Sequence, residues 1–516
     1  MSNTGTIAKN TGWYGLESAI GFIVTLFTSI AIARILGPSK MGYIIYVSWI
    51  ASVVSSLGGI GIPVTTRKYM AEFLGMGDRG TARYIYLRTL LLQTVMATLA
   101  TGGIVFWVIR DARPEYTLAS ILVALSIWPS MVNFISAQAN VAAEELSRNL
   151  PGSVISILVF FVLIAATVVL KWGVVGVGAA MLLMRAVDFL VRFIPTMKRI
   201  LAWETAHVRP AGLTKRMINF ALQSVASMIL ALIVWERSEF ILLKNLCADI
   251  RQVAYYSVAF SMAERLLLSA SIFGSAAGAT IFAQYGRDKS RVPGIVASAF
   301  RYLALTSIPL HFISAALAVP ALLLLYGNQY NGAAMVVTLA PLLCMPKAFI
   351  SPVQNLLQSM ERQRYVIAAT VFGGIIDIGV AWYLIPSHGA VGACIGSGAA
   401  QVVAVGTMWA LAIYLYKLRL PWLQLAKTVF ISLLASLTAH YIAVQLAPLW
   451  GILWGGIVAL LVFFGLVYVL RVLEPEDKDR FASLTCMLPK PIKLPVNAVL
   501  LLLIRPEGAV VSPTNV

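Results

Sequence analysis

The sequence predicts an all-α, polytopic membrane protein with about fourteen transmembrane helices, and three observations carry this prediction. Apolar residues make up 59% of the 516 residues, and fourteen separate apolar stretches are each long enough to cross a bilayer. Lys and Arg are concentrated in every second gap between these stretches. A hydrocarbon core about 30 Å thick needs about 20 apolar residues in a helix, and a backbone in lipid must satisfy its own hydrogen bonds, so helices are the expected spans.

The spans fall into two sets of six and a final pair. We place the first six at 13–33, 41–61, 84–109, 117–140, 151–170 and 174–195. The second six lie at 218–240, 253–283, 295–326, 332–355, 366–385 and 389–416, and the last pair at 427–446 and 450–470. The predicted domains are an N-terminal six-helix bundle at 1–200, a cytoplasmic linker at 201–217, a C-terminal six-helix bundle at 218–420, an extra helix pair at 421–473 and a cytoplasmic tail at 474–516.

The distribution of basic residues sets the orientation of the chain. Twenty-five of the 39 Lys and Arg residues fall in the tails and alternate gaps that include both termini, and seven fall in the other gaps. The positive-inside rule therefore places both termini on the cytoplasmic side of the membrane. The net charge of +18 follows from these flanking residues, so we expect contact with membrane lipids and no nucleic-acid partner.

Signals of enzymes, metals and cofactors are missing from the sequence. No Gly-x-x-x-x-Gly-Lys loop indicates a built-in ATPase, and the outside gaps are too short to hold a catalytic domain. The first span contains Glu17 and precedes no signal-peptide cleavage site, so we expect it to be retained. No metal-ligand or paired spacing joins the cysteines and histidines, which are Cys247, Cys344, Cys394, Cys486, His207, His311, His388 and His440. We therefore expect a protein that is not an enzyme and needs no cofactor.

An internal repeat relates the two sets of six spans. The run EELSRNLPGSVISILVFFVLIAATVVLKWGVVGVGAA from Glu144 faces MERQRYVIAATVFGGIIDIGVAWYLIPSHGAVGACIG from Met360. In both runs a charged inside turn leads to an apolar span, a brief outside turn and a glycine pattern. Six spans is an even number, so the repeats run parallel, and transporters built this way bind their substrate between the halves. We interpret glycines such as Gly176 and Gly392 as sites of close helix packing, with bending during transport as the alternative.

Several ordered motifs resemble one family of membrane proteins. The segment ARILGPSKMGYIIY from Ala33 is followed by Gly61-Ile-Pro63, Arg67 and YMAEFLGMGD, which ends at Asp78. Further along come Leu325-Tyr-Gly327 with Tyr330, and Leu384-Ile-Pro386 with Gly389-Ala-Val-Gly392-Ala393. Together these motifs resemble the polysaccharide flippases of the multidrug, oligosaccharidyl-lipid and polysaccharide exporter superfamily.

This resemblance implies two six-helix bundles that form a V and open alternately to each side. It also implies a lipid-linked oligosaccharide substrate, an undecaprenyl-diphosphate carrier bearing a polysaccharide repeat unit. The family moves this substrate from the inner to the outer leaflet of the cytoplasmic membrane, which implies a bacterial or archaeal cell. Lipid II flippases of the superfamily carry arginines early in the first helix, whereas this chain has only Glu17 before Arg34. That difference argues against lipid II as the substrate.

Ionisable residues inside the spans are the candidate site residues, because such groups are expensive in lipid and usually face a cavity or a partner. Arginine suits a diphosphate, since its planar fork donates two hydrogen bonds and keeps its charge when desolvated. We predict Arg185, Arg265 and Arg301, with Lys347 as a fourth cation, at the substrate headgroup. Arg185 shares a helix face with Asp188 and Arg192, so a self-neutralised structural cluster is the alternative for that group.

Transport without ATP must draw on an ion gradient or on the substrate gradient. A carboxylate in a cavity of low dielectric can exchange a proton between two states, and Glu17, Glu264 and Asp377 are the candidates for coupling to H⁺ or Na⁺. A static ion pair is the alternative for Glu264. Two other functions stay open: a drug or small-molecule antiporter on the same fold, and an intramembrane sugar polymerase or ligase. The short outside loops weigh against such an enzyme.

Overall fold

The computed structural model describes residues 3–111, 113–204, 212–235 and 238–473. Within these ranges the chain forms α-helices joined by short turns and contains no strand. The first eight helices are α1 Asn3–Leu57, α2 Ile62–Gly75, α3 Arg79–Asp111, α4 Pro114–Leu125, α5 Ile127–Ala142, α6 Leu150–Leu170, α7 Gly173–Leu201 and α8 Leu213–Trp235. The next eight are α9 Glu239–Leu246, α10 Arg251–Arg287, α11 Val292–Tyr326, α12 Ala334–Cys344, α13 Ile350–Ser359, α14 Gln363–Tyr416, α15 Trp422–Gln445 and α16 Pro448–Val469.

Ten runs of described helix are long and apolar enough to cross a membrane. Two of them, Leu26–Gly75 and Gln363–Tyr416, contain 50 and 54 residues. At 1.5 Å per residue each is more than twice the thickness of a hydrocarbon core, so each supplies two spans. Both change direction at a glycine with positive φ, which is 68° at Gly37 and 53° at Gly389. The protein is therefore an all-α, multi-pass membrane protein, as predicted.

The helices follow the predicted spans closely. The ten runs account for twelve of them, and α8 and α10 occupy the positions predicted for spans seven and eight. Span two ends at the turn 58–61, close to its predicted end, and α2 follows in the predicted inside gap. Two spans are broken where the sequence predicted continuous helices, span four at Ser126 and span ten by the 3₁₀ turn Met345–Phe349. A proline lies within three residues of each break, which is the expected cause, because proline removes an N–H donor and clashes with the preceding turn.

Contacts divide the chain into two compact units, 1–257 and 258–516. The predicted linker at 201–217 is only partly described, since residues 205–211 lie outside the described ranges. In the first unit α8 packs on α2, with the rings of Tyr69 and Phe220 edge to face at 6.1 Å. The first unit thus includes α8, the helix of predicted span seven. The predicted bundle boundaries and the cytoplasmic position of the termini stay predictions, and the tail 474–516 lies outside the described residues.

Glycines permit close helix packing, which confirms the interpretation made from the sequence. An added Cβ on Gly178 of α7 would lie 2.8 Å from the Ala119 carbonyl oxygen of α4. In the second unit the two arms of α14 pack against each other, and a Cβ on Gly392 would lie 2.6 Å from the Leu384 carbonyl oxygen. Small residues at such contacts let backbones approach where lipid gives no hydrophobic drive for helix association.

The helices α5 and α13 end in the same way. Glu144 and Glu361 have φ of 59° and 57° at these ends. The N–H of the next residue donates to a carbonyl five residues earlier in both cases, from Glu145 to Asn140 and from Arg362 to Leu357. This is the same Schellman cap on both helices. The two caps lie one residue out of step with the predicted alignment of Glu144 with Met360, so the repeat stays a prediction.

Candidate functional site

A cavity of about 360 Å³ lies within the first unit, among the helices of spans two, four, five and six. Its volume falls in the range of small-molecule sites, about 300–1,000 Å³. Part of the wall is apolar, with Phe134, Phe160 and Met181. The wall also carries six serines, here called the serine wall, which are Ser48, Ser52, Ser55, Ser56, Ser126 and Ser130. A half-apolar wall with convergent hydroxyl groups is typical of a site that orients a polar ligand.

Two helices supply these serines at helical spacing. Ser48, Ser52, Ser55 and Ser56 are separated by four, seven and eight residues along α1, so they share one face. Ser126 and Ser130 stand one turn apart at the start of α5. Ser48 donates to the sulfur of Met181 at 3.4 Å and Ser126 to the Val123 carbonyl at 2.6 Å, which fixes these two side chains. The cavity therefore presents hydroxyl groups that can both donate to and accept from a ligand.

Arg185 supplies the positive charge in the cavity wall. It stands twelve residues after the start of α7. At 1.5 Å per residue this is about 18 Å along the helix, near the middle of a hydrocarbon core. Its side chain is exposed, and no hydrogen bond or ion pair joins it to another residue that the structure describes. A guanidinium in this position can donate to a ligand from five N–H groups.

The neighbouring charges on α7 neutralise each other. Arg192 Nη2 donates to Asp188 Oδ1 at 2.7 Å, and Asn133 Nδ2 of α5 donates to Asp188 Oδ2 at 2.7 Å. Arg192 also donates to the Ser153 hydroxyl of α6 at 2.9 Å. The predicted alternative of a self-neutralised cluster thus applies to Asp188 and Arg192. Arg185 forms no salt bridge with Asp188, although that carboxylate acts on it electrostatically, and it is the one of the three charges that lines the cavity.

Gly152 explains why Asp188 pairs with Arg192. An added Cβ on Gly152 would lie 2.6 Å from Asp188 Oδ1 and 3.2 Å from Arg192 Nε. The backbone of α6 therefore covers this ion pair directly, and its charged side chains are 11% and 15% exposed for Arg192 and Asp188. Spacing along α7 allowed either arginine to be the partner, and the close approach of α6 with Ser153 selects the later one.

Glu264, Arg265 and Lys347 are three of the predicted site residues in the second unit, on α10 and in the 3₁₀ turn Met345–Phe349. All three are half-buried and each has an interaction partner within the structure. The buried thiol of Cys344 lies within the electrostatic influence of both Glu264 and Lys347, which places a carboxylate and an ammonium group in one neighbourhood. Their roles in headgroup binding and ion coupling stay predictions.

Arg301 lies beside the final helix pair. Its Nη2 donates to the Val472 carbonyl oxygen at 3.2 Å, just beyond the end of α16. Lys427 Nζ donates to the Leu470 carbonyl oxygen at 2.9 Å in the same region. Two cations therefore stabilise the carbonyl end of α16, where helix dipoles favour positive charge. Arg301 has a structural contact in addition to its predicted role at the headgroup.

The remaining predicted coupling residues differ in how far the structure describes them. Asp377 is buried in α14 with 2% of its surface exposed and has an interaction partner. The side chain of Glu17 lies outside the part of the chain whose side chains are described. Among the described residues no group of His, Cys, Asp and Glu could hold a metal ion. Cys486 and His207 lie outside the described ranges.

Neither the serine wall nor Asn133 was predicted from the sequence. A signal for the wall was present, because serines recur at helical spacing from Ser48 to Ser56 within an otherwise apolar span. Asn133 gave no such signal, since a single amide in a span has no period. Its partner Asp188 lies 55 residues later, and only the packing of α5 on α7 brings the two together.

Comparison with solved structures identifies the class of fold. The lipid II flippase MurJ in an inward closed conformation superimposes with a TM-score of 0.66 at 12% identity, covering 89% of this chain and 98% of that one. A multidrug resistance MATE family transporter of the MOP superfamily, inward-facing, gives 0.63 at 17% identity, covering 77% and 95%. A MOP superfamily transporter from Pyrococcus furiosus gives 0.53 at 16% identity, covering 79% and 96%.

The chain therefore has the fold shared by MOP superfamily transporters and spans nearly the whole length of each of these proteins. No family model matches the chain, and no curated protein matches it in sequence. The structural likeness confirms the superfamily-level fold that the motifs implied. Assignment of the chain to the polysaccharide branch depends on the chemistry of the site.

Proposed function

We propose that this protein is a transporter that moves a diphosphate-linked lipid oligosaccharide across the cytoplasmic membrane by alternating access. The observation that carries the proposal is Arg185, an exposed guanidinium in mid-span whose neighbours Asp188 and Arg192 neutralise each other. Such an arrangement favours an anionic ligand, because Asp188 makes its salt bridge with Arg192 and shares its charge between two arginines, which leaves a net positive charge at the cavity wall.

The serine wall supports a ligand that carries sugars as well as phosphate. Hydroxyl groups of serine can exchange hydrogen bonds with sugar hydroxyls in either direction. Phosphate oxygens accept from both serine and arginine, and the bidentate guanidinium gives the stronger contact. The apolar wall around Phe134 and Phe160 suits the carbon face of a sugar ring or the first units of a lipid chain. We propose that Arg265, Arg301 and Lys347 supply further cations along the path.

Coupling to an ion gradient is part of the proposal. Glu264, Asp377 and Glu17 are the proposed coupling carboxylates, with H⁺ or Na⁺ as the ion. A carboxyl group in a low-dielectric region binds a proton more readily than in water, so a change in hydration between two states can drive release.

Multidrug antiport is the second candidate, because MATE transporters share the fold. The apolar wall of the cavity would suit a hydrophobic drug. Arg185 argues against a cationic drug as the substrate, since like charges repel in a site of low dielectric. An uncharged or anionic drug would not meet this penalty.

The decisive experiment is flipping of a fluorescent diphosphate-linked lipid oligosaccharide in proteoliposomes, with and without proton and sodium gradients. We expect Arg185→Ala to lower the initial flipping rate about tenfold or more, equivalent to one lost charge-assisted interaction. Arg88→Ala is the matched control, because Arg88 is also an exposed arginine within a span but does not line the cavity.

Three outcomes are informative. Loss in Arg185→Ala with Arg88→Ala unchanged supports the proposed substrate. Equal activity in both variants removes Arg185 from the substrate path. Absence of flipping together with Arg185-dependent export of a drug dye supports the antiporter.

A further inference from the structure

Gln93 is a buried side chain whose amide group has no hydrogen-bond partner. It lies in α3 with none of its surface exposed. Neither Oε1 nor Nε2 forms a hydrogen bond with any residue that the structure describes. A buried amide that loses its water without gaining a partner is costly, and such groups in native proteins usually contact an ordered water or an ion.

The amide of Gln93 lies against the break between α1 and α2, at the end of span two. An added Cβ on Gly59 would lie 3.3 Å from Gln93 Nε2 and 3.5 Å from Oε1, and 3.3 Å from Pro63 Cδ. Residues 58–61 belong to no helix, and Ile60 and Gly61 have φ of 43° and 68°. The unpartnered amide is therefore aimed at the point where α1 ends and α2 begins.

The break releases backbone carbonyl groups of α1. In a continuous helix the carbonyls of Ser55 and Ser56 would accept from the N–H groups of Gly59 and Ile60. Ile60 N instead donates to the Leu57 carbonyl at 2.9 Å, and no backbone N–H of the described residues donates to the Ser55 or Ser56 carbonyl. These carbonyls point along α1 toward the Gly59 backbone, at the negative end of the helix dipole.

We infer that Gln93 Oε1 and the released carbonyls of Ser55 and Ser56 form a binding site for a monovalent cation of the size of Na⁺. Oxygen ligands suit a hard cation, and unwound carbonyls at half-helix ends bind Na⁺ in other transport folds. The three ligands carry no formal charge, which suits a monovalent ion better than a divalent one. This binding does not depend on which substrate the protein carries.

The site adjoins the cavity described above. Ser55 and Ser56 are cavity-lining residues, so an ion can reach the break from the water in the cavity. A bound cation would hold α1 and α2 in one geometry. Its release would leave the break free to bend, which connects ion occupancy to the serine wall on the same helix.

The test is cation binding by the purified full-length protein. We expect Na⁺ to raise the Tm saturably relative to choline at equal ionic strength, because an ion that binds only the folded state stabilises it by mass action. Gln93→Leu should weaken the apparent Na⁺ affinity about tenfold or more. Gln401→Leu is the matched control, since Gln401 is also a buried glutamine, 3% exposed, in α14 of the second unit. Its Na⁺ response should equal that of the wild type.

A second variant, Gln93→Glu, keeps the inference testable in the event that Gln93→Leu does not fold. A carboxylate at this position should tighten Na⁺ binding at neutral pH and lose it on acidification, as protonation removes the charge. A wild-type Tm that is the same in Na⁺, Li⁺, K⁺ and choline would overturn the inference and leave a bound water as the partner of Gln93. A sodium response that is equal in the wild type, Gln93→Leu and Gln93→Glu would also overturn it, because the ion would then bind elsewhere.

Discussion

Arg216 at the start of α8 donates to both carboxylate oxygens of Glu72 in α2, at 3.0 and 3.3 Å. The pair belongs to a cluster in which Lys68 Nζ lies 3.8 Å from the centre of the Phe220 ring and Arg216 lies over Tyr69 at 5.4 Å. These contacts join the predicted inside gap after span two to the predicted linker and the start of predicted span seven. Within the first unit they form a side-chain cluster between α2 and α8, which we call the clasp.

The first prediction concerns the energy of this clasp. Arg216 is 56% exposed and Glu72 25%, so their ion pair should contribute only about 0.2–1 kcal/mol to stability. A double-mutant cycle with Glu72→Gln and Arg216→Gln, read by thermal unfolding, should return a coupling in this range that shrinks in high salt. The charge swap Glu72→Arg with Arg216→Glu should recover most of it. A coupling above about 2 kcal/mol would mean that the pair is far less hydrated than its exposure indicates.

The clasp should also control transport if the two halves rock. In a variant with its native cysteines replaced, Glu72→Cys and Arg216→Cys joined by a short thiol cross-linker should stop flipping, and reduction of a cleavable linker should restore it. Each single cysteine treated in the same way is the control. Full activity of the cross-linked protein would show that these segments need not separate.

The second prediction separates structural from functional charges on α7. Asp188→Ala removes the partner of a buried arginine and should destabilise the protein by about 3–5 kcal/mol. Asn133→Ala removes one neutral donor and should cost about 1–3 kcal/mol. Arg185→Ala should change stability by less than about 0.5 kcal/mol, since no described residue bonds to it. Thermal unfolding of the three variants in one detergent checks the order, and a severe loss in Arg185→Ala would assign that residue a structural role.

The third prediction concerns a substitution that fills the cavity. Ser52 is exposed to it, so Ser52→Phe should block ligand entry and reduce flipping to background while the Tm stays within a few degrees of wild type. Val162→Phe, at a position 63% exposed on α6, adds similar bulk to a residue that does not line the cavity and should leave transport intact. Equal transport in both variants would remove the cavity from the substrate path.

The fourth prediction uses two glycines in α14. Gly392→Ala would place a methyl group 2.6 Å from the Leu384 carbonyl oxygen, and the resulting overpacking should cost about 1–3 kcal/mol. An added Cβ on Gly379 meets nothing within 4 Å, so Gly379→Ala should be neutral or stabilising by up to about 1 kcal/mol. Thermal unfolding of the two variants measures this difference in stability. Equal Tm values would contradict the close packing of the two arms of α14.

The fifth prediction concerns Arg301 and Lys427 at the carbonyl end of α16. Lys427→Met and Arg301→Met should each lower stability by about 1 kcal/mol, through loss of a charged hydrogen bond. Flipping by the two variants then distinguishes two roles. Activity lost only in Arg301→Met supports its proposed place at the headgroup, whereas equal activity in both leaves it as a helix cap.

The span positions could be predicted from the sequence because they depend on local hydropathy and on the thickness of the bilayer. The choice between Arg185 and Arg192 as the partner of Asp188 could not be made in this way. Both arginines are within reach of Asp188 on the same helix. Which of them forms the salt bridge depends on Gly152 and Ser153 of the neighbouring helix α6.

Partners distant in sequence were also beyond prediction. Arg301 and the carbonyl of Val472 are separated by 171 residues, and Gln93 meets the Gly59 break only because α3 packs on α2. The sequence by itself determined the all-α membrane fold, the repeat and the set of charges inside the spans, because burying unpaired polar groups in lipid is expensive at every position. Only the tertiary structure decided which of those charges are compensated and which line a cavity, since compensation depends on distances of a few ångströms between helices.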